Sequence, residues 1–245
     1  MSLTQYRSGP LVTGVAAVAA VLVALTGCSS KPDNKGSAPA SAEANLPAAD
    51  GLLKDSSTAM GDIKTAKFLI TSDGTIAGVA LKRADGVLTK EGNAQGTAQV
   101  EQMGTTSDLA FTVVGQTMWL KGPTGDYQQI PLALAAAVYD PSAILDPNRG
   151  IAKVVGSATE GKTEASESVD GQATYRVSAK FPAENLSKVV PGVTGSVPGR
   201  LWIAKDNKRL LKAAFDLPAV GDAKGGTVTV TFSDFDAAVT IAPPK

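Results

Sequence analysis

The chain contains no histidine and a single cysteine among its 245 residues. Without histidine, a Ser-His-Asp triad and every histidine-based metal site are excluded. With one thiol, at Cys28, no disulfide can close within the chain and no cysteine cluster can hold zinc. Aromatic residues are scarce, at 5% of the sequence, so large rings fill little of any core. Charge of one sign is also missing. The 23 basic residues balance 23 acidic ones, which leaves no electrostatic footprint for nucleic acid. Carboxylate pairs or a Ser-Lys arrangement would still permit catalysis, but no spacing singles out such a pair. The expectation is a protein that is not an enzyme and holds no metal or cofactor.

What is present begins at the amino terminus. Arg7 supplies a short basic region with no acidic residue to oppose it, and Leu11–Leu25 is an apolar run rich in Ala and Val. That run has the length of a signal-peptide core and is shorter than the roughly 20 residues a membrane-spanning helix needs. Leu25-Thr26-Gly27-Cys28 then has the form of a lipobox. Its small residues fit a narrow protease site, and the Cys28 thiolate is the nucleophile that would accept a diacylglyceryl group. The expectation is a signal peptide over 1–27, removed to leave an acylated Cys28. Each buried methylene contributes about 0.8 kcal/mol, so two or three acyl chains anchor a protein without a transmembrane helix. The expected location is the outer, periplasmic face of the cell membrane.

Residues 28–49 follow as a lipidated end and tether. Ser29–Ala49 is rich in Ser, Ala, Pro and Lys, with Leu46 as its one large apolar residue, too little to bury a core. Residues 50–245 are long enough for one domain with a sizeable core. Pro47 to Ala66 reads as a helix, with Leu52, Leu53, Met60 and Ile63 on one stripe and Asp50 as a cap. Short β-rich runs come next, at Lys67–Thr75, Val79–Lys90, Gln95–Gln102, Asp108–Val114 and Thr117–Lys121, split by turn residues such as Asp73-Gly74 and Gly115-Gln116. Connections this short make antiparallel neighbours. From Ile130 to Val155 the pattern changes to three short helices, over Pro131–Val138, Ser142–Leu145 and Ile151–Val155. Strands resume at Thr159–Ser168 and Ala173–Lys180, a helix covers Pro182–Val190, and strands follow at Val197–Ala204, Arg209–Leu217 and Gly226–Asp234, with Val239–Ile241 as a short addition. The order argues an α+β fold, about ten antiparallel strands in one curved sheet covered by short helices.

Several segments carry a resemblance to the LppX/LprA/LprF/LprG family of mycobacterial cell-envelope lipoproteins, with its LprG-like members nearest. They are the lipobox, Val138-Tyr139-Asp140-Pro141 with Leu145-Asp146-Pro147 and Gly150-Ile151-Ala152, Val169-Asp170-Gly171-Gln172, and Leu201-Trp202-Ile203-Ala204. The resemblance implies a curved antiparallel half-barrel with helices on its concave side, enclosing a hydrophobic cavity for the acyl chains of glycolipids or triacylglycerol. It implies transport of that cargo across the envelope. LprG-like members are linked to lipoarabinomannan display and to a major-facilitator exporter, so the implied partners are lipid cargo, the membrane and such an exporter. A monomer is expected.

Composition bears on the cavity independently. The helix facing the sheet, Leu132–Val138, is mostly alanine, and small residues against a curved sheet leave room. An empty apolar cavity costs roughly 20 cal/mol per Å² of lining, which a lipid guest would recover while adding about 25 cal/mol per Å² of burial. Alanine is also simply a good helix former. The strand positions expected to line the cavity are Ala98, Val100, Phe111, Val113, Leu201 and Ile203, and the helical region adds Leu134, Val138, Ile144 and Leu145. Tyr139-Asp140-Pro141 reads more simply as a helix cap and first turn. Two non-carrier roles stand beside this reading: an interaction or signalling lipoprotein acting on a membrane sensor or transporter, and a structural envelope component.

Replacing Cys28 with alanine is expected to abolish incorporation of labelled palmitate and to release the protein from the membrane fraction. Unchanged membrane retention of that variant would exclude the lipid anchor.

Overall fold

Two runs of hairpin-linked strands account for nearly all the pairing. The structure, a computed structural model, describes residues 46–102, 104–135, 141–190 and 192–245. The signal segment, Cys28, the tether through residue 45 and Val138-Tyr139-Asp140 lie outside the described residues. The first run comprises β1 (Thr65–Thr75), β2 (Leu81–Thr89), β3 (Ala94–Gln102), β4 (Thr105–Val114), β5 (Thr117–Lys121) and β6 (Gln128–Pro131). The second comprises β7 (Thr159–Val169), β8 (Gln172–Phe181), β9 (Val197–Ala204), β10 (Leu210–Leu217) and β11 (Gly225–Ser233). Within each run, consecutive strands pair, most across short turns, with a longer helical link over residues 182–196 between β8 and β9. The Asp170-Gly171 turn shows why: both residues are left-handed, at φ 48° and 82°, matching the twist of the strands that it joins.

One pairing ties the runs together. β1 lies antiparallel to β11, with Phe68 opposite Phe232 and Ile70 opposite Val230. The result is an eleven-stranded sheet in the order β6-β5-β4-β3-β2-β1-β11-β10-β9-β8-β7. It is a curved, unclosed sheet, mainly β in content, with a few short helices. β6 and β7 are its two edges, so the chain between them, residues 132–158, has to pass from one edge to the other.

That connection carries α2 (Leu132–Ala135), a 3-10 turn (Pro141–Ala143) and α3 (Ile151–Gly156). α1 (Ala49–Gly61) precedes β1, and α4 (Ala183–Leu186) follows β8. α1 buries Leu52, Leu53 and Met60, the stripe read from the sequence, and packs on α3 and β7. Ser57 Oγ donates to the Ala152 carbonyl at 2.8 Å, and the Leu210 N–H points at Met60 Sδ at 3.3 Å.

Ten strands were legible and one was not. β6 replaces part of the expected helix because Pro131 closes a four-residue strand instead of starting a helix, pairing with Thr117. Its Gln128-Gln129 start offers no apolar alternation to read. The expected helix over Ser142–Leu145 is the shorter 3-10 turn, and that over Pro182–Val190 is only α4. Val239–Ile241 adds no strand. The chain instead turns at Asp234 and Asp236, at φ 46° and 59°, and folds back on the start of β1.

Both edges are protected against further pairing. β6 has four residues, and β7 carries register shifts at Thr159–Lys162 and Thr163–Ala165 that break its edge. Its charged side chains are held across the outer face: Arg176 pairs with Glu164 at 2.9 Å and with Glu167 at 3.1 Å.

The turn after β11 is fastened by polar contacts. Asp236 Oδ1 accepts from the Lys64 N–H at 2.9 Å, the Asp236 N–H donates to the Thr65 carbonyl at 2.8 Å, and Arg209 pairs with the same carboxylate. The Lys64 N–H, aided by the Arg209 charge and outweighing partial burial, holds the Asp236 carboxyl below the usual carboxylate range. A carboxyl depressed by folding contributes stability that is complete above its unfolded value, about 3.9, and is lost as pH falls through the folded value. Stability is therefore expected to decline below about pH 4, and the Asp236→Asn variant should decline less steeply. Thermal unfolding across pH checks this; identical acid limbs would show that Asp236 does not contribute.

Candidate functional site

Strand parity and register divide the inner face of the sheet into two unlike halves. On β8–β11, with β1, the inward residues are sealed, and the Phe181 and Phe215 rings pack over the small inward position at Gly199. Phe181, Phe215, Leu201, Ile203, Leu210 and Phe232 are each at most 2% exposed, and the Phe181 and Phe215 rings meet edge to face at 5.0 Å. On β2 and β3 the inward residues are mostly small. Register aligns Ile70, Ala84, Ala98 and Leu109 in one row and Phe68, Gly86, Gly96, Phe111 and Leu120 in the next. Between the large side chains of β1 and those of β4, the two middle strands contribute only Ala and Gly. This makes a strip poor in side-chain volume, called the trough below; Phe68, Ala84 and Phe111 along it are buried, and its exposure begins only at its rim.

The glycine pair in its floor is required by the backbone. An ideal Cβ on Gly86 would fall 2.2 Å from the Gln95 carbonyl oxygen, and one on Gly96 would fall 2.1 Å from that of Asp85. Glycine pairs of this kind mark a hard bend where strands approach closely. A register shift between Leu81 and Arg83 then sets Leu81 opposite Val100 on the inner face. Leu81, Ala98, Val100, Leu109 and Leu120 are all partly exposed, unlike their counterparts on β8–β11, so this end of the trough is open.

The residues expected to line a cavity separate along the same division. Ala98, Val100, Phe111 and Val113 share the inner face of β3 and β4, and Ala98 and Phe111 lie in the trough rows. Val113 is fully buried at the deep end. Ile144 and Leu145 are buried beside the 3-10 turn, which packs on β2. Leu201 and Ile203 face inward as expected, but they belong to the sealed half and do not border the trough. Leu134 is corrected outright: it is 68% exposed. In the single turn of α2, Leu132 takes the buried position, and a residue two places on lies on the far side of the helix. Val138 lies outside the described residues. The small residues that the sequence pointed to on a helix are found instead on the sheet, at Ala84, Gly86, Gly96 and Ala98. Their glycines looked like turn residues in a sequence without register.

Grooves among the described residues include the following, none of them an enclosed apolar chamber. One of about 390 Å³ lies on the outer face of β2–β5. One of about 300 Å³ lies over the β2–β3 and β4–β5 turns, bounded by Lys90, Gln116, Leu132 and Asp146. A third, of about 40 Å³, sits between Ile76, Val193 and Leu217. No group of three acidic or metal-ligating residues among the described residues could hold a metal ion, and no described helix is long and apolar enough to cross a membrane.

The segment bordering the trough is built around Gly150. The Gly150 N–H donates to the Asp146 carbonyl at 2.7 Å and the Ile151 N–H to the Ile144 carbonyl at 2.9 Å. Asp146 in turn accepts from the Asn148 N–H and from Arg149 Nε, each at 2.8 Å. Burial opposes ionisation of Asp146, but these hydrogen bonds outweigh it and hold the carboxyl below the usual range. The spacing Asp146-Pro147…Gly150-Ile151-Ala152 is thus a closed loop that seats Ile144, Leu145 and Ile151 in the core.

A curved, unclosed antiparallel sheet with a helical connection running from edge to edge defines the half-barrel fold class. The chain belongs to the LppX_LprAFG lipoprotein family, whose model matches residues 48–241. This is a family of lipid-carrier lipoproteins of the cell envelope and not of enzymes. The lipoarabinomannan carrier protein LprG of Mycolicibacterium smegmatis is 31% identical over 238 residues, covering 94% of this chain and 93% of that one. The crystal structure of LprF from Mycobacterium bovis matches with a TM-score of 0.69 at 29% identity, covering 80% of this chain and 96% of that one. That of LppX from Mycobacterium tuberculosis shares the fold, with a TM-score of 0.60 at 19% identity, covering 80% and 99%.

A Cβ on Gly150 would lie 2.3, 2.4 and 2.6 Å from the carbonyl oxygens of Ile144, Ala143 and Asp146. Gly150→Ala is therefore expected to destabilise the domain by about 2 kcal/mol or more, a fall of about 4–8 °C in Tm. An unchanged Tm would show that this loop does not hold the core.

Proposed function

We infer that this protein is a lipid-anchored carrier that takes the acyl chains of a glycolipid into the trough on β2–β5 and moves them across the periplasmic space toward the outer envelope. The observation that carries the reading is the contrast between the two halves of the inner face. The β8–β11 half is sealed, whereas along β2–β4 the small residues Ala84, Gly86, Gly96 and Ala98 sit beside a partly exposed apolar rim of Leu81, Val100, Leu109 and Leu120. Half-exposed leucine and valine along that rim are unfavourable against water, and each acyl methylene buried there contributes about 0.8 kcal/mol. The acylated Cys28 and the residues after it supply the anchor and reach in this reading. Relationship to a lipoarabinomannan carrier supports a glycolipid cargo, and triacylglycerol is the competing cargo.

Native mass spectrometry of the Cys28→Ala protein, purified from its own organism, tests the proposal. A bound acyl lipid is expected, as is uptake of added lipoarabinomannan or triacylglycerol; the preferred one identifies the cargo class. Protein that leaves the cell empty and takes up neither would overturn it. Ala98→Trp should fill the trough and reduce loading at least tenfold while the melting temperature holds. Undiminished loading would show that this strand face is not the lining.

A further inference from the structure

We propose that the 390 Å³ groove on the outer face of β2–β5 binds the glycan of the cargo, on the opposite side of the same strands from its acyl chains. This rests on the carrier reading above for the identity of the ligand, and on the groove itself for the chemistry. Register places two rows across its floor. Asp85, Thr97, Ala110 and Lys121 form one, and Arg83, Gln99 and Asp108 form the next. Four strands span about 14 Å, room for more than one sugar ring.

The composition of the groove selects for hydroxyl groups over ions. Two cations, Arg83 and Lys121, face two carboxylates, Asp85 and Asp108, so neither a phosphate nor a metal ion finds charge of one sign. A sugar hydroxyl both donates and accepts, and meets both kinds of partner here. Arg83 Nε donates to Asp85 Oδ1 at 3.2 Å, which fixes one wall. Lys121 is held 5.6 Å over the Tyr127 ring, at the other wall. Between them, the side chains of Gln99 and Asp108 make no hydrogen bond to any described residue, and their polar atoms are available to a ligand. The Thr97 methyl, Ala110 and the Pro123 ring give an apolar surface for the C–H face of a pyranose.

Position joins this groove to the trough. Ala98 and Leu109 border the groove while their side chains lie on the inner face, and Val100 follows Gln99 directly. Lys121 leads into the Gly122-Pro123 loop at the open end of the strands. A lipid with its tails among Ala98, Val100, Leu109 and Leu120 can pass its headgroup over these strand ends without crossing the sheet.

The test separates the two halves of the ligand. The probes are lipoarabinomannan deacylated with alkali, and a diacylglycerol that carries no sugar. The Cys28→Ala chain is expected to bind both. Gln99→Ala with Asp108→Ala, both at partner-free surface positions, should weaken the deacylated glycan at least tenfold and leave diacylglycerol uptake unchanged. Val100→Trp, on the inner face and outside the groove lining, should do the reverse. No binding of the deacylated glycan, or equal binding by the double variant, would overturn the proposal. So would loss of both ligands from the double variant at an unchanged melting temperature. Glycan binding without diacylglycerol uptake would instead remove the carrier reading and leave the groove standing.

Discussion

The antiparallel pairing of β1 with β11 is the contact on which the architecture depends. Every other strand pair in the sheet joins neighbours in sequence, so each could form within its own run. Without β1–β11 there would be two separate meanders, each with an open edge in the middle of the domain. With it, the inner faces become continuous through Phe68–Phe232 and Ile70–Val230. The free edges move as far apart as the sheet allows. The link from β6 to β7 then has to span the full width of the sheet, and α3 docks on α1 along the way. A long-range pairing with a register set by apolar residues on one face is strongly specified, because a slip of one residue would expose all of them.

Where that face is filled and where it is not follows from side-chain volume. Close packing is the ordinary condition of a protein interior, and the β8–β11 half meets it with Phe181, Phe215, Phe232 and Leu210. The β2–β3 segment has less side-chain volume to offer. Its glycines sit where the two backbones approach too closely for a Cβ, so the bend that curves the sheet also removes the side chains that would fill it. Curvature and hollow have one cause. In the carrier reading a hydrocarbon guest complements such a surface, since it supplies apolar volume without demanding hydrogen-bond partners.

The outer face obeys different rules. Around β7–β9 its charges are largely paired with one another, with Arg176 on Glu164 and Glu167, Arg200 on Glu164 and Lys180 on Glu160. Such exposed pairs contribute little individually to stability, and they consume the hydrogen-bonding capacity of that surface. On β2–β5 Lys82 pairs with Glu101 and Arg83 with Asp85, while Gln99 and Asp108 keep their polar atoms unused, which in the proposal marks this stretch as a place for a ligand.

The sequence by itself determined the class of the protein and most of its elements. Alternation and turn residues are local properties, so ten strands, α1 and the hairpin turns could be read from them, and the absence of histidine and of a second cysteine bounded the chemistry. The pattern Asp146-Pro147…Gly150 was visible too, though not its reason, which is three carbonyl oxygens crowding the place of a side chain. Only the tertiary structure decided which inward-facing residues share a neighbourhood. Leu201 and Ile203 have the same alternation as Ala98 and Val100, yet one pair lies in a sealed core and the other beside an open trough, because strand order and register are set by contacts more than a hundred residues apart. Leu134 could not be placed for a related reason: one helical turn has too short a period to announce which of its leucines the sheet will cover.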